Sequence, residues 1–163
     1  MALTPCPPPL SPHPAQHNPA ADDHYENFVR GAGFKMDYGG HDSLFHSNAV
    51  YTNNNWNFLN VAGMMQGHED VFFDNDYVQS NQEKVSDLFD NCRETLPVVS
   101  IRSFGNRFYT PKGNASATCD CCGLVTLAEL QTINPRIEAN FTASTLPSAD
   151  TIIGWARVKT LLA

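Results

Sequence analysis

The feature that most constrains this chain is an internal repeat. Residues 40–51 read Gly-His-Asp-Ser-Leu-Phe-His-Ser-Asn-Ala-Val-Tyr, and residues 67–78 read Gly-His-Glu-Asp-Val-Phe-Phe-Asp-Asn-Asp-Tyr-Val. An offset of 68 − 41 = 27 pairs Gly40 with Gly67, His41 with His68 and Asp42 with Glu69. It also pairs Leu44 with Val71, Phe45 with Phe72, Asn48 with Asn75 and Val50 with Tyr77. A third copy, Asn106-Arg-Phe-Tyr109, follows at 106 − 75 = 31 and aligns Asn106 with Asn75 and Phe108 with Tyr77. Both spacings fall in the ~20–50 residue range of solenoids and stacked arrays.

Between the matched segments lie strand formers (Val50, Tyr51, Phe58, Leu59, Val61) and turn formers (Asn53, Asn54, Asn55, Asn57, Gly63). No sustained 3.6-residue apolar stripe runs through them, so helical repeats fit poorly and short strands broken by turns fit well. Coils of strands stacked about 4.8 Å apart would set Phe45 over Phe72 and align Val50, Tyr77 and Phe108. Asn48, Asn75 and Asn106 would form an inward ladder at a bend, amide bonded to amide. Alternation along a strand cannot bury both Leu44 and Phe45, so a bend falls nearby.

Gly-His-[Asp/Glu]-x-[Leu/Val]-Phe-x-x-Asn-x-[Val/Tyr], followed by Asn-Arg-Phe-Tyr-Thr-Pro-x-Gly-Asn, resembles the right-handed parallel β-helix repeat family, with its pectate-lyase-like architecture, in particular β-helix domain proteins of algae and other protists. The resemblance covers roughly residues 24–115. It implies an all-β fold, here about three coils, and says little about chemistry. It further implies an extracellular protein that binds or cleaves polysaccharide, or an inert surface module.

Composition supports a folded domain: of 163 residues, 42% are hydrophobic and 17% charged. The formal charge is 10 − 17 = −7, which disfavours nucleic acid and anionic membranes as partners, and no apolar run is long enough for a membrane span. Seven of the eleven prolines fall within residues 1–19, so residues 1–22 are expected to be a disordered tail. Residues 23–118 are expected to form the coils and 119–163 a Cys-containing helical cap. No secretory signal opens the chain, and three coils are few for a stable stack. The sequence therefore reads as the C-terminal part of a longer solenoid, with further coils as a partner.

Of the five cysteines, Cys6 sits in the tail, leaving Cys92, Cys119, Cys121 and Cys122 as disulfide candidates. Cys119 and Cys122 alone fit half of a zinc ribbon, so disulfides are the expectation. Asn114-Ala-Ser116 and Asn140-Phe-Thr142 are glycosylation sequons and point the same way, to a secreted or cell-surface protein.

Beyond Cys122, Thr126-Leu-Ala-Glu129 is a capping box opening a short helix that Asn134-Pro135 ends, and Ser148 caps a second helix to Leu162. Ile152, Trp155, Ala156 and Lys159 share one side of that helix, which is expected to close the last coil with Trp155 as its anchor.

The candidate site is the strip where His41 and Asp42 would stack on His68, Glu69 and Asp70, with Asp74 and Asp76 beside it. It offers an acid/base pair for a polysaccharide lyase or glycoside hydrolase, a sugar-binding strip, or oxygen ligands for Ca²⁺. The competing reading, favoured here, is structural: turn side chains capping the next coil. Arg102 and Arg107 could hold a uronate, although the negative charge disfavours an anionic polymer. Trp56, Tyr38 and Tyr51 could stack on sugars or pack on the coils. The sequence expectation is a carbohydrate-contacting or structural surface module without a cofactor, the alternative being a polysaccharide-active enzyme.

Overall fold

The computed structural model describes residues 23–31, 34–36, 42–53, 59–61, 69–88, 101–119, 123–133 and 135–161. The Pro-rich segment 1–22 lies outside them. The first nine strands are β1 (Asp23–Tyr25), β2 (Phe28–Arg30), β3 (Phe34–Met36), β4 (Leu44–His46), β5 (Ala49–Thr52), β6 (Leu59–Val61), β7 (Asp70–Phe73), β8 (Asp76–Gln79) and β9 (Lys84–Leu88). β10 (Ile101–Phe104), β11 (Arg107–Thr110), β12 (Ser116–Cys119), β13 (Gly123–Thr126), the helix α1 (Leu127–Ile133), β14 (Thr142–Thr145) and the helix α2 (Ala149–Leu161) complete the order.

Every third strand pairs, so the chain winds through three sheets in turn. Sheet A has the order β1-β4-β7-β10, sheet B β14-β11-β8-β5-β2 and sheet C β13-β12-β9-β6-β3. All pairings are parallel except β12 with β13. The register follows the repeat: Phe45 lies over Phe72, and Val50 over Tyr77 over Phe108.

Two features make the corner between sheets A and B. The residues at Glu26, Ser47, Asp74 and Gly105 have φ of 54°, 56°, 54° and 64°, and a left-handed residue swings the chain from one sheet to the next. Each is followed by an Asn. Asn27 donates its N–H and Nδ2 to Asn48 Oδ1, Asn48 does the same to Asn75, and Asn75 to Asn106, at 3.0–3.1 Å. Every Asn Nδ2 from Asn48 onward also reaches back to a strand carbonyl: His24, Phe45 or Phe72. These bonds offset the ~1–2 kcal/mol that each non-glycine left-handed residue costs.

Inside, the rings of His24, Phe45 and Phe72 stack at 4.8 and 4.7 Å, and Val50, Tyr77 and Phe108 form a second column. Phe45 is 5% exposed and Leu44 38%, so alternation resolves with Phe45 inward.

The coils extend beyond the matched repeat segments at both ends, at the N-terminal one from Asp23, the expected start of the coils. β1–β3 make a rung 48 − 27 = 21 residues before the next. Past the expected boundary at residue 118, β14 adds a parallel strand beside β11 and Ala139 bridges to Phe104. Among the described residues there are thus four rungs and part of a fifth, rather than about three. Residues 119–163 are not wholly helical.

The two helices also divide their roles differently from the expectation. α1 closes the stack: Thr126 N–H and Oγ1 both donate to Glu129 Oε2, Glu129 N–H donates to Thr126 Oγ1, and Leu127 and Leu130 are buried with Ala115, Ala117 and Ile137. α2, capped by Ser148 Oγ accepting from Thr151 N–H, is no lid. It lies along the outer flank of sheet B, with Trp155 on Tyr109 at 5.6 Å and Lys159 Nζ donating to the Ser47 carbonyl at 2.6 Å. Its length accounts for this. Thirteen residues span about 20 Å, close to the ~19 Å of four coil spacings.

Candidate functional site

The carboxylates of the expected strip stitch one coil to the next. Asp70 is buried, and its Oδ1 accepts the Ser43 N–H at 3.0 Å. Asp42, with φ of 60°, accepts the Glu69 N–H at 3.3 Å. Glu69 pairs with Arg136. His41 and His68 lie outside the described residues, as do Tyr38 and Trp56. Among the described residues, no group of three or more His, Cys, Asp or Glu is arranged to hold a metal ion.

The expected arginines have partners within the fold. Arg107 grips Asp76 with two bonds, Nε to Oδ1 at 2.6 Å and Nη2 to Oδ2 at 2.8 Å, and Tyr109 Oη donates to the same carboxylate at 3.3 Å. Both partners sit on the flank that α2 lies along. That contact, with partial burial, raises the Tyr109 pKa: desolvation leads and the Asp76 charge adds to it. Arg102 lies over the Phe104 ring at 5.0 Å. Asp74 is an exposed corner residue, and Tyr51 is half-buried on sheet B.

Cys92, Cys121 and Cys122 lie outside the described residues, and Cys119 ends β12. Asn114 and Asn140 are both exposed. Asn140 takes φ of 55° at the corner of the partial fifth rung, the place held by Gly105 one rung earlier.

Two features escaped the sequence reading. The first is a column on the outward face of sheet A: Tyr25, His46, Phe73 and Phe104 stack at 5.4, 4.7 and 5.1 Å, with planes within 14° of parallel. Leu44 and Val71 form the next column, between Asp23 and Arg102. Asp23 Oδ1 lies 3.1 Å from His46 Nε2. Rings stacked along the coil axis direct their edges outward, so the face is a narrow apolar ridge with polar groups beside it. The signal was present in the pairs Phe45-His46 and Phe72-Phe73, where one aromatic ring must point in and its neighbour out.

The second is Glu138, fully enclosed where the Asn ladder ends. Phe141 stands where the next Asn would, and Asn106 Nδ2 donates instead to Ser103 Oγ at 2.9 Å and to Glu138 Oε2 at 3.4 Å, while Ser103 Oγ donates to Glu138 Oε1 at 2.7 Å. Burial raises its pKa to about 7, against the opposing pull of those two bonds.

No family model, curated protein or solved structure matches this chain. Among the described residues no helix is long and apolar enough to cross a membrane.

Proposed function

We propose that this chain is a non-catalytic module of a secreted or cell-surface protein, a right-handed parallel β-helix that contacts polysaccharide along the outward face of sheet A. Right-handedness rests on a general rule, since crossovers between parallel strands of one sheet turn that way in ~98% of cases. The exposed sequons at Asn114 and Asn140 suit an extracellular setting.

The observation that carries the reading is the ridge of Tyr25, His46, Phe73 and Phe104. It crosses four coils at a near-constant step, and the helix that dresses sheet B packs against β2 of that sheet. An extended polymer of sugars presents apolar C–H patches and hydroxyls at regular intervals. The patches suit the ridge, and Asp23 and Arg102 beside it suit the hydroxyls. The engagement of Asp42, Glu69 and Asp70 between coils favours binding over lysis or hydrolysis, because a general acid or base needs a free hydrogen-bonding position toward substrate.

Calorimetric titration with a panel of neutral and acidic polysaccharides tests this. Binding to at least one polymer is expected, lost in Phe73→Ala and Phe104→Ala variants whose thermal unfolding stays cooperative. Silence across the panel, or binding indifferent to both substitutions, would sink the reading. Release of unsaturated products or new reducing ends would replace it with the enzymatic one.

A further inference from the structure

We infer that the N-terminal end of the stack is a docking surface for one more parallel coil, an extended polypeptide segment that turns its corner at an Asn. The inward columns are sealed at every described rung but the first. Phe45 and Phe72 are 5% and 0% exposed, whereas His24, in the same column, is exposed. Asn48, Asn75 and Asn106 are buried, while Asn27 is exposed; Val50 and Tyr77 are buried, and Val29 is only half so. The opposite end is finished differently. There Leu127, Leu130 and Ile137 cover the core, and Ser103 Oγ and Glu138 accept from the Nδ2 of the last ladder Asn. One end is therefore capped, while the other keeps the chemistry of a rung in mid-stack.

The polarity of the ladder specifies the partner. Each Oδ1 from Asn48 to Asn106 accepts an N–H and an Nδ2 from the Asn one coil earlier. Among the described residues nothing donates to the Asn27 Oδ1. Each Nδ2 from Asn48 to Asn106 also donates to the carbonyl three residues before the preceding Asn. A segment reading apolar-x-x-Asn-x-apolar would meet every one of these demands: its Asn supplies both donors, its carbonyl accepts from Asn27 Nδ2, and its apolar residues cover His24 and Val29. In the sequence, the preceding Asn18 is only 27 − 18 = 9 residues before Asn27, against rung spacings of 21, 27 and 31. A second copy cannot serve through its far end, where Phe141 occupies the ladder position and α1 covers the core.

The test uses the full chain and a fluorescent peptide with the sequence of residues 42–53, which contains Phe45-His-Ser-Asn48-Ala-Val50. Saturable binding is expected, with slowed amide exchange over Asp23–Arg30 and none over Thr142–Thr145. The same peptide carrying Asn48→Leu should bind about tenfold more weakly, having lost its Nδ2 donor while keeping the backbone N–H. Absence of binding, equal binding of the Leu peptide, or protection elsewhere overturns the inference. Self-association in light scattering that excludes the peptide overturns the assigned occupant in favour of a second copy.

Discussion

Asn48 donates both its backbone N–H and its Nδ2 to a single oxygen, the Oδ1 of Asn75, at 3.0 Å each. Asn75 passes the same pair of bonds to Asn106, so the buried amide is acceptor for one coil and donor to the next. Removing its side chain strands both Asn48 donors and takes one bond each from the Phe45 carbonyl and Asn106 Oδ1, in a fully buried setting. Asn75→Leu should therefore cost about 3–5 kcal/mol despite its added apolar surface. Asn27→Leu, at the exposed first rung, should cost less than about 1 kcal/mol. Denaturant unfolding of the two variants measures both, and equal losses would mean that the ladder is not what holds the corner.

The corner also depends on its left-handed residue. Gly105 has φ of 64°, and a Cβ there would come within 2.6 Å of Asp74 Oδ1. Gly105→Ala should destabilise by about 1–2 kcal/mol, from the backbone and from displacement of the Asp74 carboxylate. Gly105→Asn should cost roughly half as much, because Asn tolerates this conformation, as Asn140 does at the equivalent place. Thermal unfolding of the two variants side by side checks the order.

How much of this was legible follows from what each constraint acts on. The 27-residue offset is visible because stacking places like side chains in one column, and Phe45/Phe72 and Asn48/Asn75 carry it. The first rung is hidden because Asp23-His-Tyr-Glu-Asn27 shares only its Asn with the copies below. The left-handed column is hidden for another reason. It holds Glu26, Ser47, Asp74, Gly105 and Asn140, five residue types, since the requirement falls on the backbone. Glu138 lies 35 residues from Ser103, and no periodicity predicts that an acid will end the ladder. In α2 the inward side of Ile152, Trp155, Ala156 and Lys159 could be read, but an apolar stripe does not say which surface it meets. Among the site residues, acid and His types at matching positions told of stacking and not of chemistry.

α2 should be the least stable element of the stack. It buries no residue fully, and Ile153, Val158 and Leu161 are 47%, 56% and 85% exposed. Its amides should exchange well ahead of those in β5, β8 and β11. Trp155→Ala should speed proteolytic cleavage within 149–161 while lowering the stability of the strands by less than about 1 kcal/mol. Loss of cooperative unfolding in that variant would instead make α2 integral to the core.

Glu138 should make stability depend on pH in a direction opposite to that of a salt-bridged carboxylate. Its pKa rises from an ordinary 4.5 to about 7 because burial penalises the charged form more than Ser103 and Asn106 favour it. An acid that keeps its proton longer when folded contributes most below about pH 4.5, and that contribution falls as pH rises to about 7 and is level beyond. A shift of 7 − 4.5 = 2.5 corresponds to about 3 kcal/mol across that window. Glu138→Gln keeps the shape and one acceptor without the charge, so the variant should gain on the wild type as pH rises from 4.5 to 7 and be the more stable of the two at pH 8. The difference between the two unfolding curves isolates this residue from all others that titrate. A difference that stays constant from pH 4 to 8 would show that folding leaves the Glu138 pKa near its ordinary 4.5, and that the ladder ends on a charge at neutral pH.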